Sequence, residues 1–249
     1  MNIKLLITMA FSVLTSVATA ANLNNAAGFT LSSWGPKEPV SYGPNTALLL
    51  DPDYASPQVF KQAKRKNTSV VCYMSVGTYE PFRKSSKAVP TAALGNKVNG
   101  WNERWIIPSK WKMVAPFVQD RLDHFKALGC DAVESDNTDC YTYPNCPDKN
   151  SKPHIVRYIH WLSHEIRSRG MLFGLKNTLE LIRTVDKSVD FYINEECVQY
   201  NECNLYPKNS KKRFHVEYNT RRSRACTMDT GNNLWLTKYR VNGKWNDCF

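Results

Sequence analysis

WKMVAPFVQDRLDHFKALGCDAVESDNTD, residues 111–139, changes its period partway along. As far as Leu128 the apolar residues Val114, Phe117, Val118, Leu122, Phe125 and Leu128 recur at helical spacing and share one face. Gly129 ends that pattern, as a glycine just past a helix does. A short apolar approach then runs straight into Glu134, Asp136 and Asp139. Side chains alternate faces along a strand, so Glu134 and Asp136 project to the same side. A one-faced helix feeding directly into a short strand is part of a strand–helix–strand unit.

The same succession recurs along the chain. Strand-like runs are predicted at Gly28–Trp34, Ala47–Asp51, Ser69–Val76, Asp131–Asp136, Met171–Lys176, Phe191–Asn194, Phe214–Tyr218 and Leu234–Tyr239. Most are apolar or β-branched without clean alternation, the pattern of parallel strands buried on both faces. A second helix is predicted over Pro153–Arg169, with Ile155, Val156, Ile159, Leu162 and Ile166 on one face and Gly170 at its end. This repetition predicts an α/β chain folded as a compact (β/α)8 TIM barrel. A doubly wound open sheet would carry a glycine-rich phosphate loop after its first strand, and none is present. Without a low-complexity linker or a break in composition, residues 21–249 are expected to form one domain.

Residues 1–20 are expected to be a secretory signal peptide: Lys4, the apolar run Leu5–Val17, then Ala18-Thr19-Ala20. The run is too short and too polar for a membrane anchor, so a secreted, extracellular protein without a membrane partner is expected. The sequence holds eight cysteines, and an even number in an exported protein implies disulfides. Pairs close in sequence are expected, Cys140–Cys146, Cys197–Cys203 and Cys226–Cys248, which leaves Cys72 and Cys130 to each other. Roughly a hundred other pairings remain open on counting alone. Zinc is disfavoured by the absence of a C-x2-C pair and of histidines at ligand spacing. The formal net charge is +11, but the basic residues are dispersed in small clusters such as Lys64-Arg65-Lys66 and Lys211-Lys212-Arg213. Nucleic-acid binding would want a basic stripe with interleaved aromatics. Attraction to an acidic wall polymer is the alternative use of this charge. Asn67-Thr68-Ser69 is a glycosylation sequon, usable in a eukaryotic host.

Polar residues collect where the predicted strands end: Trp34, Asp51 and Asp53, Tyr73 and Ser75, Glu134 and Asp136, Lys176 and Asn177, Asn194 and Glu195, Glu217. In a barrel these ends converge on one mouth, where active sites lie. The second acidic strand end, Val189–Glu196, reads VDFYINEE. Two strands ending in acids suggest two carboxyl groups facing one bond, the equipment of a glycoside hydrolase. Asp136 and Glu195 are the candidate pair. Turn chemistry alone would explain Asp136, but not Glu134 two positions before it. Lys176 could bind a sugar hydroxyl or hold a carboxylate ionised; a surface lysine is its plainer reading. Glu217 reads equally as a substrate acceptor or an ion-pair partner. Tyr73 and Trp34 read as an aromatic floor for a sugar ring or as core. The five histidines show no metal spacing.

With these residues in place the chain resembles the glycoside-hydrolase family 114 barrel, the endo-α-1,4-polygalactosaminidase family. The resemblance runs through Cys72–Gly77 (CYMSVG), Trp101 with Glu103-Arg104-Trp105, Val133–Asn137 (VESDN), Gly174–Asn177 (GLKN), Asn194–Cys203 (NEECVQYNEC) and Val216–Tyr218 (VEY). It implies a retaining endo-hydrolase of α-linked galactosamine- or N-acetylgalactosamine-rich polysaccharide. It implies Asp136 as nucleophile and Glu195 as acid/base. Tyr73, Glu134, Lys176, Asn177 and Glu217 become pocket residues, and Asn137 and Trp34 complete the substrate-binding set. It also ties Cys197 to Cys203. No metal or organic cofactor is expected, no nucleic-acid partner, and a monomer. Three other readings compete: a carbohydrate-binding barrel without catalysis, a glycosidase of an acidic wall polymer, and a hydrolase using a divalent metal through Glu134, Asp136 and Asp139.

Overall fold

The computed structural model describes residues 23–31, 43–208, 211–227, 233–238 and 245–248. In chain order the strands are β1 (Gly28–Leu31), β2 (Thr46–Leu50), β3 (Ser69–Ser75), β4 (Thr78–Tyr79), β5 (Leu94–Lys97), β6 (Arg104–Ile106), β7 (Ala132–Asp136), β8 (Leu172–Lys176), β9 (Phe191–Glu195), β10 (Arg213–Glu217), β11 (Asn233–Lys238) and β12 (Trp245–Asp247). The helices are α1 (Pro57–Arg65), α2 (Trp111–Leu128), α3 (Ser151–Ser168), α4 (Ile182–Val185), α5 (Cys197–Tyr200) and α6 (Arg222–Cys226). One sheet runs in the order β1-β2-β3-β7-β8-β9-β10-β11-β12. Every neighbouring pair from β1 to β11 is parallel, and β12 is antiparallel to β11. The end strands β1 and β11 meet in space, which curls the sheet into the expected TIM barrel. The first predicted strand is described as far as Leu31; Trp34, Tyr239 and residues 1–20 lie outside the described residues. No helix among the described residues is long and apolar enough to cross a membrane.

Helix α2 spans the predicted residues, burying Val114, Val118, Leu122 and Phe125. Gly129, at φ 97°, takes the left-handed conformation that lets the chain leave the helix and enter β7. Helix α3 starts two residues before the predicted Pro153 and buries Ile155, Ile159, Leu162 and Ile166. Outward strand residues such as Leu48, Val70, Val133, Phe173 and Leu175 pack against these helices in one apolar cluster.

The inward residues form a second cluster: Phe29, Ala47, Leu49, Val71, Ala132, Phe191, Ile193, Phe214 and Val216. Phe29 and Phe191 meet Phe214 edge-on, with centroids at 5.1 and 5.8 Å. Gly174 makes room in this layer, since a Cβ there would stand 2.2 Å from the Phe191 ring. The barrel is therefore plugged with hydrocarbon below its carboxyl-terminal mouth. Each inward row continues past the plug into a polar residue: Val71 to Tyr73, Ala132 to Glu134 and Asp136, Gly174 to Lys176, Ile193 to Glu195, Val216 to Tyr218.

The described residues include all four expected disulfides, Cys72–Cys130, Cys140–Cys146, Cys197–Cys203 and Cys226–Cys248. Cys72–Cys130 spans 58 residues and ties β3 to the chain just before β7. Such a cross-link restricts the unfolded chain by about 4 kcal/mol. The paired substitution Cys72→Ala, Cys130→Ala is expected to lower the melting temperature by about 8–16 °C, read by calorimetry. An unchanged melting temperature would show that the link adds nothing.

Candidate active site

The β7, β8 and β9 side chains converge on the ammonium of Lys176. Its Nζ lies 3.1 Å from Asp136 Oδ2, 3.0 Å from Glu195 Oε2 and 3.5 Å from Glu134 Oε1. Burial works against that ammonium, but Asp136, Glu195 and Glu134 outweigh it and hold its pKa well above the usual lysine value. Glu134 is pushed the other way, to about 7, first by burial and then by its acidic neighbours Asp136 and Glu195, with Lys176 opposing. Asp139, one turn beyond, is also raised to about 7, by burial and then by Asp136. Glu134 and Lys176 side chains are 5 % exposed, Asp136 14 % and Glu195 26 %, so the last two are the carboxyl groups open to a substrate.

Each of these strands ends in a sharp turn. The residue after each site side chain has a left-handed φ: Asn137 at 63°, Asn177 at 49° and Glu196 at 63°. Asparagine tolerates this conformation, whereas glutamate adopts it at a cost of about 1 kcal/mol. Asn177 Oδ1 accepts from the Glu195 amide at 3.0 Å, fixing the backbone that carries Glu195. Asn137 Nδ2 donates to Ser75 Oγ at 2.9 Å, bracing the end of β7 against β3. Gly77 is required beside this turn, because a Cβ there would lie 1.6 Å from the Asn137 carbonyl oxygen.

Several residues singled out in the sequence take other places. Glu217 is fully buried on the outward face of β10, away from the mouth. Its carboxylate accepts from the Val198 amide and Thr220 Oγ1, both at 2.8 Å, and so anchors α5. Strand alternation is the reason: Phe214 and Val216 point inward, so Glu217 cannot. The inward neighbour is Tyr218, whose hydroxyl donates to Glu195 Oε1. Period-two counting along β10 identifies Tyr218 and not Glu217. Tyr73 does reach the cluster, but it is 6 % exposed and lies under the Lys176 and Arg83 cations at 5.7 and 5.8 Å, so no sugar can stack on it. Asp51 and Asp53 are held by Arg83 at 2.7 and 2.8 Å and form the wall behind Tyr73. A depression of about 630 Å³ lies beside Tyr143 and is lined by Pro144, Asp148 and Lys149, with none of the clustered acids.

Glu134 gives the cluster a signature in stability. A carboxyl raised to about 7 in the fold, from 4.5, keeps its proton where the unfolded chain has lost it. Stability therefore falls as pH rises from about 4.5 to 7 and levels off above. Glu134→Gln removes this dependence, so the melting-temperature gap between native and variant protein is expected to change across that window. A gap that stays constant from pH 4 to 8 would contradict it.

A small antiparallel sheet of β4, β6 and β5 rises between β3 and α2 and forms part of the rim. Trp105 of β6 is 1 % exposed and packs against Tyr143 at 5.0 Å.

The model of glycoside-hydrolase family GH114 matches residues 15–248. The crystal structure of Aspergillus fumigatus Ega3 in complex with galactosamine is 26 % identical and superposes with a TM-score of 0.80, over 90 % of this chain and 96 % of that one. The glycoside hydrolase domain of PelA from Pseudomonas aeruginosa is 10 % identical with a TM-score of 0.64, over 85 % and 94 %, a likeness of fold. No curated protein matches the chain. A match over nearly the whole length, joined to a barrel mouth built around Lys176 and its carboxyl groups, places this glycoside hydrolase in family GH114.

Proposed function

We propose that the protein is a secreted, retaining endo-glycosidase of α-linked galactosamine-rich polysaccharide, with Asp136 as nucleophile and Glu195 as acid/base. The observation that carries this reading is the pair of contacts to Lys176. Asp136 Oδ2 and Glu195 Oε2 touch the same nitrogen at 3.1 and 3.0 Å, so the facing oxygens are no farther apart than those contacts laid end to end. Retaining pairs stand about 5–5.5 Å apart, inverting pairs about 6.5–9.5 Å.

Asp136, paired with Lys176, attacks the anomeric carbon as a carboxylate while Glu195 gives its proton to the leaving oxygen. A covalent glycosyl–Asp136 ester results. Glu195, now ionised, takes a proton from water as that water attacks the same carbon, and the Asp136 carboxylate leaves. Lys176 stays charged throughout and balances whichever acid is ionised. Tyr73 and Glu134 position the lysine from below, and Asn137 and Asn177 fix the strand ends.

The sugar class follows from two supports. Ega3 was crystallised with galactosamine. Despite the chain's net charge of +11, the mouth gathers four carboxyl groups, Glu134, Asp136, Asp139 and Glu195, around the Lys176 ammonium, and it grows more anionic as pH rises through about 7, where Glu134 and Asp139 lose their protons. A field of that sign draws a polymer bearing ammonium groups and disfavours a uronic-acid polymer. Secretion rests on residues 1–20 and on the four disulfides.

The deciding experiment incubates the protein with galactosamine, N-acetylgalactosamine and uronic-acid polymers and follows new reducing ends by NMR. An α-anomer formed first from a galactosamine-containing polymer is the expected result. A β-anomer formed first would overturn retention, and cleavage of the uronic-acid polymer alone would overturn the sugar class.

A further inference from the structure

Both strands that carry the proposed catalytic pair are followed by the same short device. Cys140–Cys146 reads CYTYPNC and Cys197–Cys203 reads CVQYNEC, each a C-x-x-Y-x-x-C segment closed by its own disulfide. The first begins four residues after Asp136, the second two residues after Glu195. The Cα atoms of each pair are 5.3 and 4.9 Å apart, so each segment is a tight loop with its tyrosine at the middle. Those tyrosines, Tyr143 and Tyr200, are 42 % and 60 % exposed. Single exposed aromatics are common on a surface, and Tyr54, Phe82 and Trp101 are exposed too; what sets Tyr143 and Tyr200 apart is that each is held in a disulfide-closed loop directly after a strand carrying one of the paired acids.

We propose that Tyr143 and Tyr200 are paired stacking platforms that grip sugar rings flanking the scissile bond, extending the site into a polymer-binding cleft. This rests on the glycosidase reading above and assigns the aromatic surface that Tyr73, buried under two cations, does not supply. Pyranose rings present an apolar C–H face, and an aromatic ring is a flat, low-entropy partner for it.

Three features support the assignment. The Tyr143 ring leans on buried Trp105 at 5.0 Å, and Asn145 in the same loop donates from Nδ2 to the Lys97 carbonyl at 2.6 Å. The first platform is therefore rigid before substrate arrives. The second loop is pinned where it leaves β9, since the Cys197 amide donates to Asn194 Oδ1 at 2.9 Å and the Val198 amide to Glu217. That gives the misassigned Glu217 a role: it holds the base of the Tyr200 loop. Tyr143 also lies within electrostatic reach of the site. After burial, the charges of Asp139, Asp136 and Glu195, and then Tyr200, contribute to raising its pKa to about 12.

The test uses the full-length Asp136→Asn protein, which binds without turnover, and isothermal titration with galactosamine oligomers of two to eight units. Affinity is expected to rise with chain length, and Tyr143→Ala or Tyr200→Ala each to weaken the longer oligomers about three- to tenfold. Tyr143→Phe and Tyr200→Phe are expected to keep the gain, because the ring and not the hydroxyl does the stacking; Tyr143→Phe also preserves the packing on Trp105. A gain with length that survives both alanine substitutions in folded protein overturns the proposal, as does affinity that is flat with length or absent. Tyrosine-dependent binding by a native protein that cleaves none of these polymers would instead overturn the catalytic reading and leave the platforms standing.

Discussion

Asp136→Asn is expected to lower turnover by about 10⁴-fold, and Glu195→Gln by about 10²–10⁴-fold on the natural polymer. The two losses differ in kind. Asparagine cannot form the ester with the anomeric carbon, so its defect persists whatever the leaving group. Glutamine cannot deliver a proton, so the Glu195→Gln defect shrinks in the first step when the leaving group is a nitrophenol. Both substitutions keep shape. Tyr218 can still donate to the amide oxygen that replaces Glu195 Oε1, and Lys176 keeps Glu134 and one catalytic carboxylate. Melting temperatures close to native are therefore expected alongside the kinetic loss. Kinetics on polymer and on a nitrophenyl glycoside check the pair. Full activity in Asp136→Asn would remove it as nucleophile, with Glu134, on the same strand face, the next residue to substitute.

Lys176→Met is expected to cost about 3–5 kcal/mol of stability and nearly all activity. Without the ammonium, Glu134, Asp136 and Glu195 share one spot with no compensating charge, and Glu134 is almost fully excluded from water. The sign with pH follows. Carboxyl groups deprived of their cation hold protons more tightly in the fold than in the unfolded chain, so the variant loses stability as pH rises through the carboxylate range and recovers in acid. Adding Glu134→Gln removes one of the three charges and is expected to restore part of the loss. Thermal melts of the single and double variants between pH 4 and 8 check both statements. A Lys176→Met protein as stable as native at pH 7 would mean that the ammonium is not what holds the acids together.

The fold was legible where one period dominates. The stripe from Val114 to Leu128 and the stop at Gly129 set α2 and the start of β7, and the repeated helix-into-strand reading set the barrel. The rim was not legible. β4 is two residues long, and β5 and β6 are four and three, too short to show a period and held by contacts such as the Ile106 amide to the Gly77 carbonyl at 2.9 Å that no local pattern announces. In the site, polar residues at strand ends, the alternation that pairs Glu134 with Asp136, and the resemblance together single out Glu134, Asp136, Lys176 and Glu195, which the structure brings together. Glu217 reads as a substrate acceptor or an ion-pair partner and joins the pocket set through the resemblance, whereas strand parity along β10 turns it outward. Tyr73 reads as an aromatic floor or as core, because exposure is not written in sequence. Two of the exposed tyrosines, Tyr143 and Tyr200, sit in short disulfide loops, where neither helical nor strand period marks a residue's exposure.

The aromatic plug of Phe29, Phe191 and Phe214 closes the barrel interior below the acids, so among the described residues the carboxyl-terminal mouth is the approach to them. On the proposed retaining mechanism, water bound for a glycosyl–Asp136 ester enters by the face through which the first product leaves. A departing oligosaccharide and an arriving water molecule thus compete for one passage. On that mechanism a sugar hydroxyl is expected to take water's part when sugar is abundant, so that chains are spliced as well as cut.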